Sequence, residues 1–245
     1  MADIIISRWA AWAPGLQTLE DWQAWSLGEK EVQFGEPPVV SAIPAMLRRR
    51  LSSLGKMALS VAWPLMGEGV AIPSVFCSRH GELGRTVTLL KQLADEEDLS
   101  PTHFSLSVHN AIGGVASIAR KDMSSITALA AGDEGLSVAL LEAQMILDEQ
   151  QCPEVLCVIY DEPPQAEFHC VTPSVPYAAA FVLSSVLPVD SPANRLTVEL
   201  QSVESVDDEE GVPQAMHFIK FLLSGNAGDL RFAGKRHAWQ WSKVV

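Results

Sequence analysis

The chain has 245 residues, 48% of them hydrophobic, and a formal net charge of −13. That length and apolar content supply one sizeable core, and a charged fraction of 19% argues against a disordered chain. The acidic balance argues against a non-specific nucleic-acid binder, which needs a basic face.

The opening, MADIIISRWAAWAPG, carries no basic leader before its apolar run, so no signal peptide is expected. No stretch approaches the roughly 18 apolar residues that cross a bilayer, and a cytoplasmic protein without a membrane span is the expectation. DIIIS (3–7) suits a buried strand. A Pro-Gly break follows, and Thr18 stands where an N-cap would open the helix of TLEDWQAW. From Pro44 to about Trp63 apolar residues recur at helical spacing, and Pro64 ends the pattern. AIPSVFCS (71–78) predicts a second strand, GELGRTVTLLKQLADEED (81–98) an amphipathic helix, and THFSLSV (102–108) a third strand. Two local basic groups, Arg48–Arg50 with Lys56 and Arg231 with Lys235 and Arg236, read as solvated faces.

NAIGGVASIAR (110–120) is a helix of small residues. Gly113 and Gly114 each cost about 1 kcal/mol of helix stability against alanine, which a close approach by another backbone would explain. SSITALA (124–130) predicts a strand and DEGLSVALLEAQMILDEQ (133–150) a buried helix, with Asp133 and Glu134 in its first turn. EVLCVIYDE (154–162) and PYAAAFVLSSV (176–186) predict further strands, the first apolar enough to be covered on both faces. RLTVELQ alternates as a half-exposed strand, VDDEEGVP reads as a solvated loop, and PQAMHFIKFLLSG (213–225) as a helix. Trp239 and Trp241 stand at strand spacing in the tail. The alternation of strands and helices predicts an α/β protein with a mixed, mostly parallel sheet and helices on both faces.

The cysteines are Cys77, Cys152, Cys157 and Cys170. They fit no disulfide framework for a chain of this length. Cys77 and His80 with His169 and Cys170 make a poor zinc set, because two of the four are adjacent and the spacing is irregular. Buried inert thiols are expected, with no metal and no cofactor.

The run SLSVHNAIGGVASIARKDMSSITALAAGDEGLSVALLEAQMIL resembles the centre of the first half of a β-ketoacyl synthase, a condensing enzyme of the thiolase superfamily. IIISRWAAWAPG is similar to that family's opening strand and turn, IPAMLRRRLSSLGKMALSVA to its early helix, and YAAAFVLS to the strand closing the first half. The resemblance covers about residues 3 to 186. It implies one domain over 1–245: a thiolase-like first half over 1–186 and a short, divergent non-family ending over 187–245.

Two departures bear on function. In active members a cysteine sits where strand 124–130 passes into the next helix and attacks the acyl thioester. Here that turn offers Leu129 in one register and Gly132, Asp133 or Glu134 in the other, and no cysteine lies between 78 and 151. A carboxylate is a poor replacement for a thiolate in that attack. The family's two catalytic histidines lie in a second half, and the short ending here lacks their sequence context.

Members without the cysteine are chain-length factors, which pair with an active ketosynthase. The resemblance therefore implies a non-catalytic subunit forming a heterodimer with a full-length ketosynthase, in type II fatty acid or polyketide synthesis of the aryl polyene kind. It implies an acyl-tunnel wall at Asn110, Ile112, Gly113, Gly114, Ser117 and Ile118. It implies an interface strand at Ser124, Ser125, Ile126, Thr127 and Ala128. Acyl carrier protein would dock mainly on the partner, because both it and this chain are acidic, with Arg48–Arg50 the local exception. Two other readings stay open: a homodimeric acyl-binding or scaffold protein, and a serine acyltransferase or hydrolase using Ser137 of GLSVA with His109 or His169 as base.

Overall fold

The structure, a computed structural model, describes residues 2–164, 175–187, 194–202, 212–225, 228–234 and 237–244. Its strands are β1 (Ala2–Trp12), β2 (Ser74–Cys77), β3 (Ile126–Leu129), β4 (Glu154–Asp161), β5 (Tyr177–Ser184), β6 (Asn194–Ser202), β7 (Asp229–Ala233) and β8 (His237–Lys243). Its helices are α1 (Leu19–Ser26), α2 (Ala45–Arg48), α3 (Ser53–Ala62), α4 (Leu83–Ala94), α5 (Pro101–Ser105), α6 (Ala111–Arg120), α7 (Gly135–Gln150) and α8 (Gln214–Leu223). The expected charge run VDDEEGVP falls largely outside the described residues.

Local chemistry explains several boundaries. Thr18 caps α1 by accepting from Asp21 N at 3.2 Å, and Asp21 Oδ2 accepts from Thr18 N in return, a complete capping box. The apolar run from 44 to 63 divides into α2 and α3, because Ser52 intervenes as the N-cap of α3 and accepts from Gly55 N at 3.0 Å.

The strand expected at 102–108 is instead helix α5 with a following turn. Ser100 caps it, accepting from His103 N, and Pro101 takes the first helical position, where its missing N–H costs nothing. The polar–apolar alternation of THFSLSV suggested a strand; the Ser-Pro start signal outweighed it.

The strands form one sheet in the order β3-β2-β4-β5-β1-β6-β8-β7. It is mixed, as expected, but mostly antiparallel rather than mostly parallel. Only β2·β3 and β2·β4 run parallel. Between β2 and β3 the chain runs through α4, α5 and α6, and on the way to β4 also through α7, which supplies the crossover a parallel pair needs. β1 is antiparallel to both its neighbours, β5 and β6.

Helices cover both faces, each with its own core. On one face α7, α8 and Trp22 of α1 pack over Val75, Cys157, Phe181 and Trp241. On the other α3 and α6 pack over Phe76, Leu156, Val158 and Tyr160. Strands β6 and β8, from the chain's ending, continue the same sheet and contribute Leu196, Val198, Trp239 and Trp241 to the first core.

Candidate functional site: the β3 edge and its exit turn

Strand β3 closes one end of the sheet and is paired only with β2 among the described residues. Ser74 N donates to Ser125 O at 3.0 Å and Ser78 N to Leu129 O at 3.2 Å. Backbone groups alternate along a strand, so Thr127 also faces β2, while Ile126 and Ala128 point their N–H and C=O groups away from the sheet. Among the described residues the edge therefore presents two residues' worth of unpaired backbone, a template for another strand.

Helix α6 lies against this edge because of one glycine. A Cβ on Gly113 would stand 2.9 Å from Ile126 Cγ2 and 3.2 Å from Phe76 Cδ2, so only glycine permits the approach. Gly114 meets nothing within 4 Å, so the same account does not extend to it. Ile112 and Gly113 face the chain's own core, whereas Asn110 and Ile118 are exposed and Gly114 and Ser117 half-buried. The exposed set and its half-buried companions recur at helical spacing on one face, 110, 114, 117 and 118.

Asp122 fixes the start of the strand. Its Oδ1 accepts from Ser124 N at 2.9 Å, its Oδ2 from Ile72 N at 3.2 Å, and its carbonyl from Ser117 Oγ at 2.6 Å. Ser125 Oγ accepts from Gln150 Nε2 at 3.2 Å. Large apolar side chains stand exposed on the neighbouring elements: Ile118 of α6 at 64%, Met123 just before β3 at 94% and Met145 of α7 at 64%.

The turn leaving β3 is gripped from several directions. Gly132 takes a left-handed φ of 59°. His109 Nε2 lies 2.6 Å from Leu129 O, Arg79 pairs with Asp133 at 2.7 Å, and Trp239 Nε1 donates to Glu134 Oε2 at 2.9 Å. One turn into α7, Ser137 is fully buried and accepts from Trp241 Nε1 at 3.2 Å. In the sequence Trp239 and Trp241 stand out for strand spacing, and Asp133 and Glu134 for the helix dipole, but nothing in the order of residues singles out Arg79 or brings 134 beside 239.

Ser137 thus has no exposure to a substrate, and its hydroxyl holds an indole; the serine acyltransferase or hydrolase reading loses its nucleophile. His109 is engaged with the β3 exit, and His169 lies outside the described residues. Cys77 is buried at the end of β2, 3.5 Å from Gly135 O, and burial pushes its thiol up to about 12, aided by the nearby Asp161 charge. Cys157 is fully buried and likewise raised by burial. Neither thiol is a thiolate at neutral pH. Cys170, like His169, lies outside the described residues, and no group of three or more metal-ligating side chains assembles among those described.

Beneath this turn, at the ends of β2 and β4, sits a buried carboxyl. Asp161 Oδ1 accepts from Ser78 Oγ at 2.9 Å and Arg79 N at 2.8 Å. Burial nonetheless raises its pKa from 3.8 to about 6, against the lowering effect of those bonds. The folded chain holds this proton more tightly than the unfolded chain. Asp161 therefore makes folding less favourable as pH rises from about 4 to about 6, a penalty of about 3 kcal/mol that is constant above that range. Asp161→Asn is expected to flatten the pH dependence of urea-denaturation stability across that window. An unchanged slope would assign the titration elsewhere.

The β-ketoacyl synthase N-terminal domain family matches residues 22–242. The chain belongs to this family. The match extends past residue 187 into the chain's ending. A solved ketosynthase, ApeO, in complex with its chain length factor, ApeC, from Xenorhabdus doucetiae contains a chain 30% identical to this one. The match covers 99% of this chain and 100% of that one, with a TM-score of 0.84. The ishigamide ketosynthase/chain length factor matches at 13% identity over 99% of both chains, TM-score 0.72. A β-ketoacyl synthase from Burkholderia phymatum matches at 11% identity over 84% of this chain and 66% of that one, TM-score 0.59. The last two show the fold alone. No curated protein matches the chain.

This member of the β-ketoacyl synthase family thus has Leu129, Gly132, Asp133 and Glu134 where strand β3 turns into α7. No helix among its described residues is long and apolar enough to cross a membrane.

Proposed function

We propose that the chain is a non-catalytic, chain-length-factor-like subunit that pairs with an active β-ketoacyl synthase. One observation carries the reading: a sheet edge with outward backbone groups at Ile126 and Ala128 leads into a turn that has no nucleophile. The full-length similarity to a chain of the ApeO–ApeC complex supports it. Strand β3, with Ser124 and Ser125 leading into it, is the association strand, and Ile118, Met123 and Met145 are the apolar surface covered on pairing.

Asn110, Gly114, Ser117 and Ile118 form the part of the acyl-tunnel wall that this chain contributes, and Ile112 and Gly113 hold that face in place from behind. The products belong to type II fatty acid or polyketide synthesis of the aryl polyene kind, in the cytoplasm. Acyl carrier protein docks mainly on the partner, since two acidic surfaces repel.

Expression of the tagged chain beside its neighbouring genes tests the reading. A ketosynthase is expected to co-purify in a one-to-one complex that is active only with both subunits. A chain that purifies instead as a stable homodimer, and never takes up a ketosynthase, refutes it in favour of a scaffold.

A further inference from the structure

Strand β8 lies at the far end of the sheet from β3, with five strands between them in the sheet order. Its two indoles nevertheless reach the exit from β3, Trp239 bonding Glu134 in the turn and Trp241 bonding Ser137 at the start of α7. The hairpin approaches closely there. A Cβ on Gly234, between β7 and β8, would stand 2.6 Å from the Glu134 carboxylate and 2.7 Å from His237 O. Gly234 N donates to that same carbonyl at 2.8 Å, closing the hairpin around the carboxylate.

We infer that the β7–β8 hairpin is a clamp that pre-sets the association edge, with Trp239 and Glu134 as positioning residues for partner binding. The inference rests on the proposal that β3 is the association strand. A four-residue edge strand contributes little order of its own. Its orientation is set by what holds its two ends: Asp122 at the start and the gripped turn at the exit. A strand that must be ordered during association loses affinity to the cost of that ordering, and one already held does not. Trp239 is buried, at 5% exposure, so it acts on the edge through Glu134 rather than by touching a partner.

The test compares variants of the full chain in complex with the co-purifying ketosynthase. Trp239→Phe keeps a ring and removes the donor; Glu134→Leu removes the acceptor; Glu134→Gln keeps an acceptor. Trp239→Phe and Glu134→Leu are each expected to weaken association about tenfold, equivalent to about 1.4 kcal/mol, while Glu134→Gln retains wild-type affinity. In the isolated chain, amide exchange over residues 128–134 should quicken in the first two variants, with β4 and β5 as protected as before. That pattern separates a local release from general unfolding. Trp239→Phe and Glu134→Leu with unchanged affinity, beside an Ala128→Pro variant that no longer associates, overturn the clamp and leave the association strand standing. An Ala128→Pro variant that still associates normally overturns both.

Discussion

Ala128→Pro is expected to abolish association with the ketosynthase, weakening it by at least about 100-fold, while the isolated chain keeps its melting temperature within a few degrees. The reason is the alternation of backbone groups along β3. Thr127 and Leu129 supply the bonds to β2, so Ala128 contributes none of the ladder that holds β3 in its own sheet. A proline there removes an outward N–H and places its ring where an incoming strand would lie. Edge strands tolerate proline in that position. Thr127 is already extended, as a residue before proline must be. Isothermal titration or sizing of the mixed subunits measures the effect. Normal complex formation by a folded Ala128→Pro chain would place the interface somewhere other than β3.

The second large effect is on stability. Trp241→Ala should cost about 3–5 kcal/mol in urea denaturation, since it removes one of the largest fully buried side chains. The indole packs edge-on against Phe218, with ring centroids 5.0 Å apart, and joins β8 to α8 across the core. It also donates to Ser137, so its loss empties a cavity and strands a buried hydroxyl. Ser137→Ala should cost about 1–3 kcal/mol, the penalty of leaving the Trp241 N–H buried without a partner. The two effects share one bond, so the double variant should fall short of their sum. Additive losses would mean that the bond does not form in solution.

Much of this architecture was legible in the residues. The near-continuous apolar runs at 154–162 and 176–186 became the buried strands β4 and β5, because only a sheet covered on both faces tolerates so few polar side chains. Thr18 marked its helix start, and the helix at 213–225 declared itself by its periodicity. The costly glycine at 113 pointed to a close approach, and β3 and Phe76 supply it. At 102–108 two local signals conflicted, and the cap prevailed over the alternation. Strand direction was not legible at all: apolar content reports that a strand is buried, not which way its neighbour runs.

The candidate site divides in the same way. The amino-acid order alone established the family resemblance, the absence of a cysteine between 78 and 151, and the small-residue helix beside strand 124–130. All are properties of residues close together in the chain. Only the tertiary structure decided that β3 is an edge, that Ile126 and Ala128 face outward, and that Trp239 and Trp241 close on Glu134 and Ser137. The first two depend on pairing between segments about fifty residues apart, and the last on contacts between segments about a hundred apart. Such contacts are chosen by how two cores fill on either side of one sheet, and local sequence periodicity carries no record of that choice.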